Sequence, residues 1–194
     1  MAIEDRRERE RQARRRLIVA TARTLAEAEG WDAVTTRRLS TEIEYSQPVL
    51  YKHFAGMEQI AEAVALDGFD ELAQALRATR ADAGTADAAL TRIAQAYLGF
   101  AHEHPAVYDA MFTRATTLRF AAEDTPPPLA AAFAELRRAV AGVVGEPDAD
   151  TLTEVFWAAL HGLLTLTRTG RLRPGHDDER LRLLIEQFGA RVGS

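Results

Sequence analysis

The sequence predicts an all-α protein. Apolar residues recur at three- and four-residue steps through almost every segment. No segment alternates apolar with polar residues and β-branched enrichment, so no sheet is expected. The breaks between periodic segments carry helix-ending chemistry, at Gly30, Gly56, Pro105, the Pro126-Pro127-Pro128 run and Pro174-Gly175.

Each element follows from those signals. Ile18, Ala22 and Leu25 recur at helical spacing, and Gly30 stops that segment where a left-handed C-cap would sit. Thr35 or Thr36 can cap a short second helix carrying Leu39 and Ile43. Ser46 can cap a third helix, 46–54, with Pro48 in its first turn, where a missing N–H costs nothing. A longer helix follows Gly56, with Ile60, Val64, Leu72 and Leu76 along one side. Leu90, Ile93, Ala94, Tyr97, Leu98 and Ala101 form the next stripe, broken by Pro105. Residues 129–144 read as helical, and two last helices are expected over 150–168 and 177–192.

Composition narrows the function. The chain has 194 residues, 47% apolar and 27% charged, the balance of a globular protein. It has no cysteine, which excludes disulfide scaffolds, thiolate metal sites and cysteine nucleophiles. No run approaches the ~20 apolar residues a membrane span needs. The charged N-terminus does not resemble a secretory signal, and a cytoplasmic location is expected. The net charge of −5 is uneven: residues 1–55 hold 11 Lys and Arg against 9 Asp and Glu, and residues 56–194 hold 13 against 20. Arg6, Arg7, Arg9, Arg11, Arg14, Arg15 and Arg16 crowd the front, a cluster able to bind polyanions but diluted by Glu4, Asp5, Glu8 and Glu10.

Residues 35–54 hold two short helices around a tight connection near 43–46, the layout of a helix-turn-helix whose second helix enters the major groove of DNA. Gln47 is the best base reader, because its amide can pair bidentately with adenine. Tyr45 and Val49 can add apolar contacts, for example to a thymine methyl. Tyr51, Lys52, His53, the Thr36 hydroxyl and the Arg37 guanidinium suit phosphates.

The stretch Gly30-Trp31-Asp32-Ala33-Val34-Thr35-Thr36 through Leu50-Tyr51-Lys52-His53-Phe54 resembles the TetR/AcrR family of bacterial transcriptional regulators. Phe156-Trp157-Ala158-Ala159-Leu160-His161-Gly162 is similar to the Trp-His-Gly motif of one C-terminal domain class of that family. The resemblance implies a three-helix DNA-binding domain at 1–55 and a larger effector-binding and dimerisation domain at 56–194. It implies a homodimeric repressor on a palindromic operator of double-stranded DNA, released by a small-molecule effector, with no cofactor and no membrane partner. Carried over by position, Thr36, Arg37, Tyr51 and His53 fall on phosphates, and Tyr45, Gln47, Pro48 and Val49 near bases, with Ser46 opening the reading helix. Two positions depart from the pattern. Glu44 stands where the family usually has glycine, which strains the backbone if φ is positive there. Met57 stands where a lysine usually meets the DNA backbone.

In the C-terminal part, Leu152, Val155, Phe156, Ala159, Leu160, Leu163 and Leu166 are expected on one broad apolar face, with Glu154, Trp157, His161, Thr165 and Arg168 opposite. Ala158 and Gly162, four apart and small, can let a second helix approach. Leu181, Leu184, Ile185, Phe188 and Val192 form a stripe on the last helix. The resemblance places a four-helix dimer interface on these two helices, at Ala158, Gly162, Leu181, Leu184, Ile185 and Phe188. Candidate effector contacts, by mixed apolar and polar chemistry, are Phe100, His104, Tyr108, Met111, Phe112, Trp157 and His161; Phe120 and Phe133 qualify by composition alone.

Catalysis is not expected. His102 and His104 are two apart, on different faces of a helix, which is poor metal-chelating spacing; Asp109, five residues past His104 with Pro105 between, leaves a joint site open, but the three or four convergent ligands a transition metal wants are not evident. No phosphate loop, nucleophile elbow or HExxH pattern occurs.

Overall fold

Helix α1 (Ala2–Glu29) opens the chain, and its first buried residue is Ile18. The computed structural model describes residues 2–115, 117–120, 122–144 and 148–189, the side chains of residues 2 and 3 excepted. A 3₁₀ turn (Trp31–Ala33) follows, then α2 (Thr36–Glu42), α3 (Gln47–Tyr51) and the long α4 (Met57–Ala81). Next come α5 (Ala86–Glu103), the short α6 (Pro105–Asp109) and a π turn (Ala110–Arg114). The chain closes with α7 (Pro127–Val144), α8 (Ala149–Arg168) and α9 (Asp177–Gly189). No strand occurs among the described residues.

These elements form two units. The first takes the described residues within 1–68 and 104–126, and the second those within 69–103 and 127–189. In the first, α1 packs on α2 and α6, and α2 on α3. Its core is built from Ile18, Ala22 and Leu25 of α1, Leu39, Leu50 and Phe54 of the second and third helical segments, and Ile60 and Val64 of α4, all buried. The Trp31 ring is buried and its Nε1 donates to Ala106 O at 2.8 Å. The Glu27 carboxylate accepts from the Ala106 and Val107 N–H groups (3.1 and 3.0 Å), satisfying the free donors at the start of α6. Gly68 allows α4 to lie close to the π turn, since a Cβ there would overlap Val107 and Met111.

In the second unit α5, α7, α8 and α9 pack on one another. Leu90, Ile93 and Tyr97, Leu129, Leu136 and Val140, and Phe156 and Leu160 are buried. Glu135, with no exposed surface, is held by three arginines: Arg77 Nε to Oε1 at 3.0 Å, Arg80 Nε to Oε2 at 3.0 Å and Arg138 Nη1 to Oε1 at 2.5 Å. Burial pushes this carboxyl up, but the bonds from Arg77 and Arg80 and the Arg138 charge outweigh it and hold it below the usual range.

The sequence expectation for α8 was rotated. The buried stripe is Ala149, Thr153, Phe156 and Leu160, while Val155 and Leu166, expected in the core, are 51% and 38% exposed. The segment is apolar on more than one side, so periodicity alone does not choose the inward face. Trp157 does not stand on a polar outer side either: it is half-buried and its Nε1 donates to the Tyr97 hydroxyl at 3.0 Å. The third helix is shorter than expected, ending at Tyr51 with turns through His53. The short helix and π turn after Pro105 were not foreseen. Val192 lies outside the described residues.

Candidate nucleic-acid interface

Gly30 has φ 83° and extended ψ, a positive-φ stop that is not a left-handed cap. Thr35 caps α2, its hydroxyl accepting from Arg38 N–H at 3.1 Å. Leu39 fixes the inward side of α2, so Thr36 and Arg37 look outward, half-buried and exposed. The neighbouring Arg38 is committed to the fold, pairing with Glu29 (3.0 Å) and Glu42 (2.9 Å).

The turn to α3 is closed by two bonds, Tyr45 N–H to Ser40 O (3.0 Å) and Glu44 N–H to Thr41 O (3.4 Å). That pairing is a Schellman motif, and Glu44 occupies its left-handed position with φ 55°. The conditional strain read from the sequence is therefore present: Glu44 holds a conformation that favours glycine.

Ser46 sits at the N-cap of α3 without a side-chain cap bond, and Pro48 lies in the first turn. Leu50 points inward at 1% exposure and anchors the helix. Ser46, Gln47, Pro48, Tyr51 and Lys52 are exposed, and Tyr45, Val49 and His53 are half-buried. None of the ten sequence-predicted contacts is buried, and all lie on α2, on α3 or in the turns that flank α3.

Arg15, which sequence reasoning left undistinguished within its cluster, joins this site. Its Nη1 donates to His53 O at 2.9 Å and its guanidinium lies 4.0 Å over the Phe54 ring. The signal was its place three residues before Ile18, on the same side of α1. His53 Nδ1 is buried without a hydrogen-bond partner. Burial pushes the imidazole below its usual range, and the charges of Arg11, Arg14, Arg15 and Lys52 push it the same way. The shift favours the neutral imidazole, and the neighbouring Lys52 is exposed. At the start of α4, Gln59 Oε1 accepts from Ala55 N–H at 2.8 Å, and Met57, half-buried, offers no charge where the family usually has lysine.

The candidate effector contacts fall in both units. In the first unit, Tyr108 and Met111 are buried, His104 is the N-cap of α6, and Phe112 lies 4.6 Å from the Tyr108 ring. Phe112 also stacks on Phe120, at 6.4 Å. In the second, Phe100 is buried and Trp157 is held by Tyr97. His161, half-buried, has its imidazole pushed down by burial. Of the expected interface residues, Ala158 is exposed and Gly162, Leu184 and Ile185 are half-buried. Leu181 and Phe188 instead fill the core of their own unit, Phe188 edge-on to Phe156 at 5.0 Å. Among the described residues no three His, Asp or Glu gather as a metal site, and no helix is long and apolar enough to cross a membrane.

Residues 18–64 match the family model for bacterial regulatory proteins of the tetR family, and residues 90–188 the model for the tetracyclin repressor-like C-terminal domain. An uncharacterized HTH-type transcriptional regulator of Mycobacterium tuberculosis, Rv0681, is 34% identical over 161 residues, covering 80% of this chain and 71% of that protein. A protein of unknown function from Rhodococcus sp. RHA1 is similar in structure, with TM-score 0.71 and 29% identity over 91% of this chain and 93% of the other. The structure of RolR in complex with its ligand resorcinol shares the fold, with TM-score 0.69 and 17% identity over 95% and 92% of the two chains. The chain belongs to the TetR family of bacterial transcriptional regulators.

Proposed function

We propose that the protein is a homodimeric repressor that binds a palindromic operator and leaves it when a small-molecule effector binds. The observation that carries this is the outer surface of α2 and α3. Its base-reading and phosphate-binding groups stand on a helix pair anchored from beneath by Leu39, Leu50 and Phe54. Gln47 reads a base, Tyr45, Pro48 and Val49 lie against base edges, and Ser46 opens the helix at the groove. Thr36, Arg37, Tyr51, Lys52 and His53 hold the phosphates. Residues 1–55 are the DNA-binding domain, and residues 56–194 bind the effector and dimerise.

Exposed apolar side chains support self-association through the last two helices. Val155, Leu166 and Leu183 are 51%, 38% and 46% exposed. With Ala158, Gly162, Leu184 and Ile185 they would form the contact, and Leu181 and Phe188 would support it from within. The effector would be met by groups among Phe100, His104, Tyr108, Met111, Phe112, Trp157 and His161, and RolR, which shares the fold, holds the ligand resorcinol. The mechanism is linkage: an effector that prefers one separation of the two reading heads draws the dimer away from half-sites about 34 Å, or a multiple, apart. The protein acts in the cytoplasm and performs no catalysis.

The test is fluorescence anisotropy of the purified protein against duplexes tiled across its own gene's upstream region, at two salt concentrations with nonspecific competitor. Saturable, salt-sensitive binding to one palindromic tile is expected, and small molecules screened on that complex should include one that weakens it. Specific binding that no compound weakens would favour a ligand-independent regulator. Failure on every tile, followed by failure of a genome-wide binding selection, would overturn the DNA-binding role.

A further inference from the structure

The front of α1 extends beyond the core. Residues 4–17 are all exposed, and the first buried side chain is Ile18. That is about 20 Å of helix without a packed face, a length that is marginal alone in water. It holds seven arginines against four acids.

The arginines are not evenly placed. Arg7, Arg11 and Arg14 follow one another at four- and three-residue steps, so they share one side of the helix. That side adjoins the reading head, because Arg15, next to Arg14 and four residues after Arg11, donates to His53 O and lies over the Phe54 ring, and Ile18, four residues after Arg14, is buried. Arg6, Arg9 and Arg16 point elsewhere, and Arg6 is paired with Glu10 at 3.0 Å. Glu8 accepts from Gln12 at 3.3 Å. Among the described residues Arg7, Arg11 and Arg14 form no ion pair within 4 Å, although the charges of Arg14 and Arg7 also act on Glu10, whose carboxylate is bonded by Arg6.

We propose that the exposed part of α1 is a second DNA contact, an arm whose Arg7, Arg11 and Arg14 side lies along phosphates outside the bases read by α3. It rests on the DNA-binding role proposed above and adds a partner surface to it. Arg15 fixes where the arm leaves the head, beside Lys52 and His53, at the phosphate-facing end of the recognition segment. From Arg7 to Arg14 the helix rises about 10 Å, the run of two to three phosphates on one strand. Guanidinium groups suit them, since each can bridge two phosphate oxygens. Counter-ions released from those phosphates would supply affinity without sequence preference.

The experiment compares the operator as a short duplex with the same duplex lengthened by about six base pairs at each end, in anisotropy titrations over a salt series. The full-length protein should bind the longer duplex about tenfold or more tightly. The triple variant R7Q/R11Q/R14Q should lose that gain and lower the slope of log K against log salt by about 2 to 3 per protomer, at ~0.9 per phosphate. The variant R6Q/R9Q/R16Q removes the same charge from the other side and should keep most of the gain. Both should keep the base preferences of the short duplex. Both should also keep the helix content seen by circular dichroism, since glutamine and arginine are similar helix formers at exposed sites. Identical behaviour of the two triple variants, or no gain from the flanks in the unsubstituted protein, would make this segment an ordinary solvated helix. Loss of all sequence-selective binding by the unsubstituted protein is a different result, and would overturn the regulator role and the arm together.

Discussion

Around Glu135, in the second unit, Arg77, Arg80 and Arg138 converge on one carboxylate that has no exposed surface. Around His53, in the first, burial pushes the imidazole below its usual range and the charges of Arg11, Arg14, Arg15 and Lys52 push it the same way. The same residue type is used in opposite ways. A buried charge persists only if it is paired and hydrogen-bonded, so the first cluster completes the fold. In the second cluster Arg15 is tied to the fold through His53 O and the buried Phe54 ring, and the charge of Arg14 also acts on Glu10. The remaining positive charge is exposed near the α3 segment, and under the proposed DNA-binding role it is charge available to phosphates. The two clusters should therefore respond differently to substitution: one in stability, the other in binding.

The largest effect is expected at the buried cluster. Glu135→Ala leaves three arginines turned toward an empty site and should destabilise the protein by about 3 kcal/mol in urea unfolding. That is the low end for a broken buried pair, because the arginine heads reach water. Its pH dependence follows from the direction of the carboxyl shift. The folded pKa lies below the unfolded value of about 4.3, so the stabilisation is complete above that value and fades as pH falls through the folded one. The variant should lose that part of the acid limb. A loss below about 1 kcal/mol would show that the arginines do not need the carboxylate, and the contrast between the clusters would collapse.

Gln47→Ala tests the opposite side of the comparison. Gln47 is exposed, so stability should move by less than about 0.5 kcal/mol. Discrimination at one operator position should fall by about 1–3 kcal/mol, measured as the affinity difference between the operator and a single-base variant. Intact preference at every position would remove Gln47 as a reader. Lys52→Ala should weaken binding to all sequences alike and lower the salt slope by about one per protomer. An unchanged slope would take Lys52 out of the phosphate set.

What was legible in the sequence follows the same division. The helices of the head were placed closely because each has a local signal: Thr35 caps α2, Pro48 sits in the first turn of α3, and Leu39 and Leu50 mark one inward side. That none of the ten head residues is buried followed from that inward side, although Thr36, Tyr45, Val49 and His53 are half-covered. The Glu135 cluster had no local signal, since its carboxylate and Arg77 are 58 residues apart and meet only when α4 and α7 pack. The inward face of α8 failed for a related reason. Val155 and Leu166 are as apolar as Phe156 and Leu160, and only the neighbouring helices decide which pair they cover. The short helix after Pro105 depends on Glu27, from a distant part of the chain, to satisfy its first N–H groups.

Glu44 is where local and global signals meet, and it gives the smallest and most divisible effect. Its φ of 55° costs an L-residue about 1–2 kcal/mol, whereas glycine there loses about 0.5–1 kcal/mol more backbone entropy on folding. Glu44→Gly should therefore stabilise the protein by about 0.5–1 kcal/mol. It also removes an exposed negative charge from the turn leading into the reading helix, so operator affinity should rise modestly, and more so at low salt. Glu44→Gln separates the two causes, because it removes the charge and keeps the strained φ. A stability gain confined to the glycine variant assigns it to the backbone. An affinity gain shared by both variants assigns it to charge. If Glu44→Gly lowers stability, the left-handed turn is held without strain and the glutamate is not a defect in the head.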